Sequence, residues 1–190
     1  MTRLRTPGAM IVTSLFILSA CAPNPCSVSF SSDRLEAAGQ TLDCLLTLDA
    51  TTTAQMPTSG TAAYSGYLTA QLGPDGAVVD SLFGDAALVA DFGAAQTVTG
   101  TMSNLTSDNE GALGGTLSLA NGSITGTTFT GDINGNLTGY GTQSITIAST
   151  GGGLFLGSGA QGLLAGTTGT VSYSGGGADD VADILIYGLQ

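Results

Sequence analysis

The stretch that most constrains this chain runs from Ala86 to Asn104. Ala86, Leu88, Ala90 and Phe92 alternate with other residues, a small-residue break follows, and Val98, Gly100 and Met102 resume the alternation. Apolar residues at period two put one side of a pleat against a core, whereas a helix needs them every three or four positions. The spacing predicts two half-buried strands with a tight connection. The chain on either side repeats the same grammar, so this hairpin is the unit from which the whole is built.

Thr61 to Leu72 places Tyr64, Leu68 and Leu72 on one side of a first strand, and Gly73-Pro74-Asp75-Gly76 has the composition of a turn. Ala77 to Phe83 reads as a longer connection into the hairpin. Asp108, Asn109, Glu110 and Gly111 form a polar turn after it. Gly115 to Ala120 resumes the alternation, and Asn121-Gly122 is a tight-turn signal because both residues tolerate positive φ. Phe129, Ile133 and Leu137 line the next strand, with Asp132, Asn134 and Asn136 facing the other way. Strands follow over Gln143–Ala148, over Gly162–Tyr173 with a break near Gly166, and over Val181–Gly188. With 30 glycines to permit sharp coiling, the pattern predicts an all-β fold. An eight-stranded antiparallel β-barrel fits it, because closure removes exposed strand edges. A sandwich of the same strands is the alternative. A membrane-spanning barrel fits poorly, since aromatic residues are 6% of the chain, Trp is absent, and the large residues share one face of most strands.

Residues 1–20 read as a signal peptide. Arg3 and Arg5 form a positive n-region, and Met10–Leu18 is an apolar run too short to span a bilayer. Leu18-Ser19-Ala20-Cys21 resembles a bacterial lipobox, which implies that Cys21 becomes a lipidated N-terminus carrying palmitate-type acyl chains. Two or three such chains give stable anchoring where one is marginal. An ordinary signal peptide with an incidental cysteine is the alternative. Ala22 follows, where aspartate would be the inner-membrane retention signal, so the expected location is the cell outer membrane. Removing Cys21 from the three cysteines leaves Cys26 and Cys44, and an even remainder in an oxidising envelope suggests a disulfide. Residues 21–59 are thus expected to hold the lipidated N-terminus, a linker and a disulfide-stapled flap. Ser31–Gln40 opens a short helix with Ser32 or Asp33 as N-cap and Gly39 as its end, and Leu42–Leu48 reads as a strand or apolar strap.

Residues 60–190, the expected barrel domain, carry a family resemblance in the order of their motifs. Tyr64-Ser65-Gly66 opens, Ala90-Asp91-Phe92 leads into Val98-Thr99-Gly100, and Ile124-Thr125-Gly126 precedes Phe129-Thr130-Gly131. Gly152-Gly153-Leu154-Phe155-Leu156-Gly157 then comes with Ala160 and Leu163. This order resembles the β-barrel domains of the transferrin-binding protein B-like lipoproteins. The resemblance implies an eight-stranded barrel on a lipid tether, in some members exposed at the surface and binding a host iron or haem protein. The chain carries one barrel rather than two lobes, and Ile184–Gly188 departs from the family's usual closing motif.

Chemistry is scarce. Without histidine the usual general base and metal ligand are missing, and without lysine there is no Ser–Lys nucleophile or Schiff base. Asp179, Asp180 and Asp183 stand close in sequence but read as barrel-turn acids. Asp132–Asn136 begins like a calcium loop, yet Leu137 occupies the position that needs glycine and Gln143 the one that needs an acid. No catalytic residue, metal site or cofactor is expected. All 14 acidic residues lie beyond position 30, and past the leader only Arg34 is basic. That balance excludes nucleic acid as a partner, because nucleic acids are bound through Lys and Arg. The function expected is a non-catalytic, lipid-anchored envelope barrel that binds a protein or solute ligand. The alternative is a structural or accessory outer-membrane lipoprotein with no soluble ligand. The loops at Ala77–Gly84, Ser107–Gly114 and Gly151–Gln161 are candidates for contact by position alone.

Overall fold

The computed structural model describes residues 33–74 and 77–190. The leader, Cys21, Cys26, Ser32 and the second half of the Gly73–Gly76 turn lie outside the described residues. The elements are α1 (Arg34–Leu46), β1 (Thr61–Gly73), β2 (Asp80–Asp91), β3 (Thr97–Ser107), the two-residue β4 (Gly111–Ala112), β5 (Gly114–Thr125), β6 (Thr128–Tyr140), β7 (Gln143–Leu156), β8 (Gly162–Tyr173) and β9 (Asp180–Leu189). Eight long strands follow one another around a closed antiparallel barrel, with β4 as a short spur on β3. Closure is made by β9 pairing with β1 from Ser65↔Leu189 to Gly73↔Val181. The founding hairpin is β2–β3, paired from Asp91↔Thr97 back to Leu82↔Ser107 with a shift of register between Phe83 and Asp85.

Period two becomes an interior. Leu68, Leu72, Leu88, Val98, Met102, Leu117, Leu137, Ile145, Ile147, Phe155, Leu163 and Val171 are all essentially inaccessible to solvent and belong to one cluster. The outward positions of β5 to β8 carry Thr116, Ser118, Asn134, Asn136 and Thr170. A polar outside around an apolar inside is the reverse of a membrane-spanning barrel.

Local expectations change in three regions: within β5, at the strand ends and breaks, and in α1. Asn121-Gly122 is no chain reversal but a β-bulge inside β5, where these two residues oppose Gly131 alone. Asn121 does take positive φ, at 51°, and glycine is needed next because a Cβ there would lie 1.8 Å from the Val98 carbonyl oxygen. The reversal comes at Gly126-Thr127, between the paired Thr125 and Thr128. Secondly, Gly151–Leu156 is strand, so the loop is confined to residues 157–161. Likewise β2 starts at Asp80, which shortens the connection from Ala77. β8 runs unbroken from Gly162, although its pairing with β7 lapses beside Gly166, between Gly152↔Gly166 and Ser149↔Gly169.

The third concerns α1. Asp33 is the N-cap, its carboxylate accepting from the Leu35 amide at 2.9 Å and the Glu36 amide at 3.4 Å. The helix passes through Gly39 and ends only at Leu46, so Leu42–Leu48 is not a strand. Glycine in a helix costs about 1 kcal/mol, and burial of Ala37, Ala38, Thr41 and Leu45 on one stripe outweighs it. That stripe lies on the outside of the barrel, where Ala38 and Leu45 join Leu156, Tyr187 and Leu189 in a second apolar cluster. Gly39→Ala is expected to stabilise the protein by about 0.5–1 kcal/mol, since a Cβ there meets nothing within 4 Å. A denaturant midpoint that stays put or falls would contradict this.

Candidate binding surface

Among the described residues the barrel interior is filled by one apolar cluster. The void between Leu88, Leu119, Ile133 and Ile186 is about 10 Å³, the space of one water at most. Both mouths are shut. At one, Phe155 meets Phe92 at 5.4 Å, Phe129 at 5.5 Å and Tyr64 at 6.3 Å between ring centroids. The Tyr64 hydroxyl donates to the Ala160 carbonyl at 2.8 Å, and Thr51 ties the preceding segment across this end through the Gly157 carbonyl at 2.7 Å.

The other mouth is closed by carboxylates and phenols. Buried Asp80 accepts from the Ser107 hydroxyl at 2.6 Å, from the Ser81 and Asn109 amides at 2.8 and 3.3 Å, and from Tyr140. Burial alone would raise the Asp80 carboxyl, but these hydrogen bonds together hold it below the ordinary value. Tyr140 packs its ring 5.9 Å from Tyr173, whose hydroxyl donates to Asp180 at 2.7 Å. The sequence-level candidates Asp179, Asp180 and Asp183 are not brought together. Asp180 serves this mouth, whereas Asp183 faces outward and accepts from Thr168 at 2.8 Å. Asp132, first of the calcium-like run, accepts from Asn121 and Thr150 on the surface.

Burial pushes the Tyr64 and Tyr187 phenols up to about 12, and burial followed by the neighbouring Asp180 carboxylate does the same to Tyr173. Tyr140 is raised by burial and then by Asp80. An unfolded tyrosine titrates near pH 10. The stabilising contribution is therefore complete below pH 10 and is lost as pH rises through 12. A spectrophotometric titration is expected to show these four tyrosines ionising late and together with unfolding; independent ionisation near pH 10 would contradict it.

With the interior excluded, the surface holds what recognition there is. The loops selected by position contribute differently. Residues 157–161 are spent on closing the aromatic mouth and 107–110 on the acidic one, while Val78 and Val79 stand more than half exposed. The larger concavity was not foreseen: a groove of about 640 Å³ across the outside of β8, β9, β1 and β2, beginning at Leu35 on the first turn of α1. Its lining includes Phe83, Thr69 and Leu185, which are paired in one row across β2, β1 and β9, and beside them Gln71, Asp108, Thr168 and Asp183. Arg34 fixes the helix at this edge. Its guanidinium donates to Asp85 at 2.7 Å and to the Asn104 carbonyl at 3.1 Å, and lies 5.0 Å above the Phe83 ring. One sequence signal pointed this way: Ile184-Leu185-Ile186-Tyr187 is apolar without alternation, which marks a strand covered on both faces.

The molecule is thus a filled, closed antiparallel barrel with a helix clamped to its flank. No family model matches the chain, and no curated protein matches it. Among solved structures it is similar to transferrin binding protein B. A Trp-to-Ala mutant of that vaccine antigen from Haemophilus parasuis Hp5 gives a TM-score of 0.53 at 17% identity, over 75% of this chain and 28% of that one. A double mutant of the same antigen and intact Ap-TbpB, with its N and C lobes, each give 0.50 at 16% identity over the same shares. The chain therefore spans just over a quarter of the length of these proteins and has the fold of a transferrin-binding protein B lobe barrel.

Proposed function

We propose that this chain is a non-catalytic, lipid-anchored barrel of the cell outer membrane that binds a protein ligand through its outer surface. The observation that carries the reading is the lobe fold shared with proteins named for binding a protein, transferrin, combined with an interior too full for a solute. The lipobox-like Leu18-Ser19-Ala20-Cys21 supports the tether. Transferrin itself is not implied, because a fold shared at 17% identity does not carry a ligand with it.

The test has two arms. Palmitate labelling of the expressed protein is expected, lost in Cys21→Ser; an unlabelled parent would remove the tether, and labelling that persists in the variant would remove Cys21 as its site. The lipid-free chain, immobilised, is expected to retain a saturable protein partner from envelope or host extracts. A clean negative against both would favour a structural lipoprotein with no soluble ligand.

Cys44 on α1 is disulfide-bonded, and its partner lies outside the described residues. The proposal pairs it with Cys26, closing a loop of 17 intervening residues. A loop of that size is worth about 3 kcal/mol. Cys44→Ser is expected to lower unfolding stability by about that amount, and mass spectrometry after alkylation to find one Cys26–Cys44 peptide pair. Two alkylated thiols in the unreduced protein would remove the staple.

A further inference from the structure

We infer that the groove at the N-terminal end of α1 is the docking site for an extended segment of a partner protein in which apolar side chains alternate with lysine or arginine. The inference deepens the binding function proposed above and rests on it.

The groove is apolar at its base and acidic at its sides. Leu35 is 66% exposed at its rim, and Phe83 and Leu185 form part of the floor. An exposed leucine at the rim has apolar area left to bury, at about 25 cal/mol for each Å². Asp108 and Asp183 line the same space, and Asp33 and Glu36 flank Leu35 on the first turn of the helix. A helix N-terminus by itself favours anions, but here Asp33 and Glu36 supply the negative charge locally. Arg34 is the sole basic residue beyond position 5, and it is matched by Asp85 at 2.7 Å. An anionic segment would face the Asp108 and Asp183 carboxylates with one guanidinium nearby, itself already paired with Asp85; a cationic one would be attracted. That is the charge complementarity that selects the occupant.

The backbone sets the mode of recognition. β9, β1 and β2 are paired with both neighbours along the groove. β8 loses its ladder with β7 only between Gly166 and Gly169, where the Ser149 hydroxyl donates to the Thr168 carbonyl and the Thr167 hydroxyl to the Thr150 carbonyl, so no strand edge long enough to be extended by another chain is open. Specificity must come from side chains. Thr69 presents a hydroxyl between Phe83 and Leu185, and Gln71 and Thr168 flank Asp183 on either side. An extended segment places alternate side chains on opposite sides, which suits apolar residues facing the floor and basic residues reaching the sides.

The test uses residues 22–190, which contain every described residue, labelled with nitrogen-15. The probes are a short synthetic peptide alternating lysine with leucine and phenylalanine, and its counterpart with glutamate for lysine. The lysine peptide is expected to shift the amides of Thr69, Gln71, Thr168, Asp183 and Leu185, and the glutamate peptide to shift none. Asp183→Lys and Leu35→Ser, both at exposed positions, are each expected to weaken binding about fivefold while leaving the dispersed spectrum intact. Equal affinity for the two peptides, shifts confined to the barrel mouths or to the polar β5–β7 face, or indifference to both variants would overturn the site. So would concentration-dependent broadening of the groove amides without peptide, which would make a second copy the occupant. If a protein partner is captured equally by both variants, the groove fails while the binding function stands. If no partner is captured at all, the binding function fails first.

Discussion

Replacing Phe155 with alanine is expected to cost about 3–5 kcal/mol and to leave the barrel partly unfolded at physiological temperature. The size follows from what the ring does. Phe155 is fully buried, and its ring stands against three others, at 5.4 Å from Phe92, 5.5 Å from Phe129 and 6.3 Å from Tyr64. Truncation loses the transfer free energy of the ring and leaves a cavity that strands on all sides cannot collapse to fill. The backbone of the same residue holds the N-terminal strap, since its carbonyl accepts from the Thr51 amide at 2.9 Å. Urea unfolding followed by far-UV circular dichroism reads the effect. Phe155→Leu, which keeps most of the volume, is expected to recover more than half of the loss. A Phe155→Ala variant within 1 kcal/mol of the parent would show that this mouth is loosely packed.

Gly66→Ala is expected to cost about 3 kcal/mol or more, although it adds one methyl group. Gly66 pairs with Gly188 on β9 and Ala86 on β2, so it sits where the first and last strands meet. A Cβ there would lie 1.9 Å from the Tyr187 carbonyl oxygen and 2.5 Å from the Gly188 Cα. Both are backbone atoms within the closing ladder, so relief requires β1 and β9 to part. Overpacking costs about 1–3 kcal/mol where side chains can move, and here they cannot take up the strain. The Gly39→Ala substitution on α1 is the control, with the opposite expected sign. Should Gly66→Ala cost less than 1 kcal/mol by the same urea series, the two strands approach less closely than described.

How much was legible in the sequence differs by element. The β2–β3 hairpin was readable because Leu88, Ala90, Val98 and Met102 bury one side of each strand and leave the other to solvent, so periodicity carries the whole signal. Asn121-Gly122 misled because positive φ is common to a tight turn and to a bulge. What distinguishes them is whether a neighbouring backbone, here that of Val98, comes within contact distance. The extent of α1 was missed for a related reason. Gly39 is a local stop signal, while Leu45 buries itself against Leu156 and Leu189, more than a hundred positions away.

The acidic mouth shows the same limit in polar chemistry. Asp80, Tyr140, Tyr173 and Asp180 are scattered over four strand ends, and no spacing in the chain predicts that they converge. The groove beside Leu35 belongs to this class too, since its lining comes from four strands and a helix. The apolar run through Leu185 and Tyr187 announced a covered outer face, but not what covered it.

By itself the sequence determined strand number, the alternation that sorts inside from outside and the cationic poverty of the surface. Each of these depends on residues close together in the chain, where backbone geometry and charge act without reference to the fold. Tertiary structure alone decided that the barrel closes through β1 and β9, that its interior is full, and that α1 lies on its flank with a groove at its end. These are outcomes of packing between residues distant in sequence. Whether Gly66 meets Gly188, or Leu35 borders Leu185, depends on how far the sheet coils before its edges join.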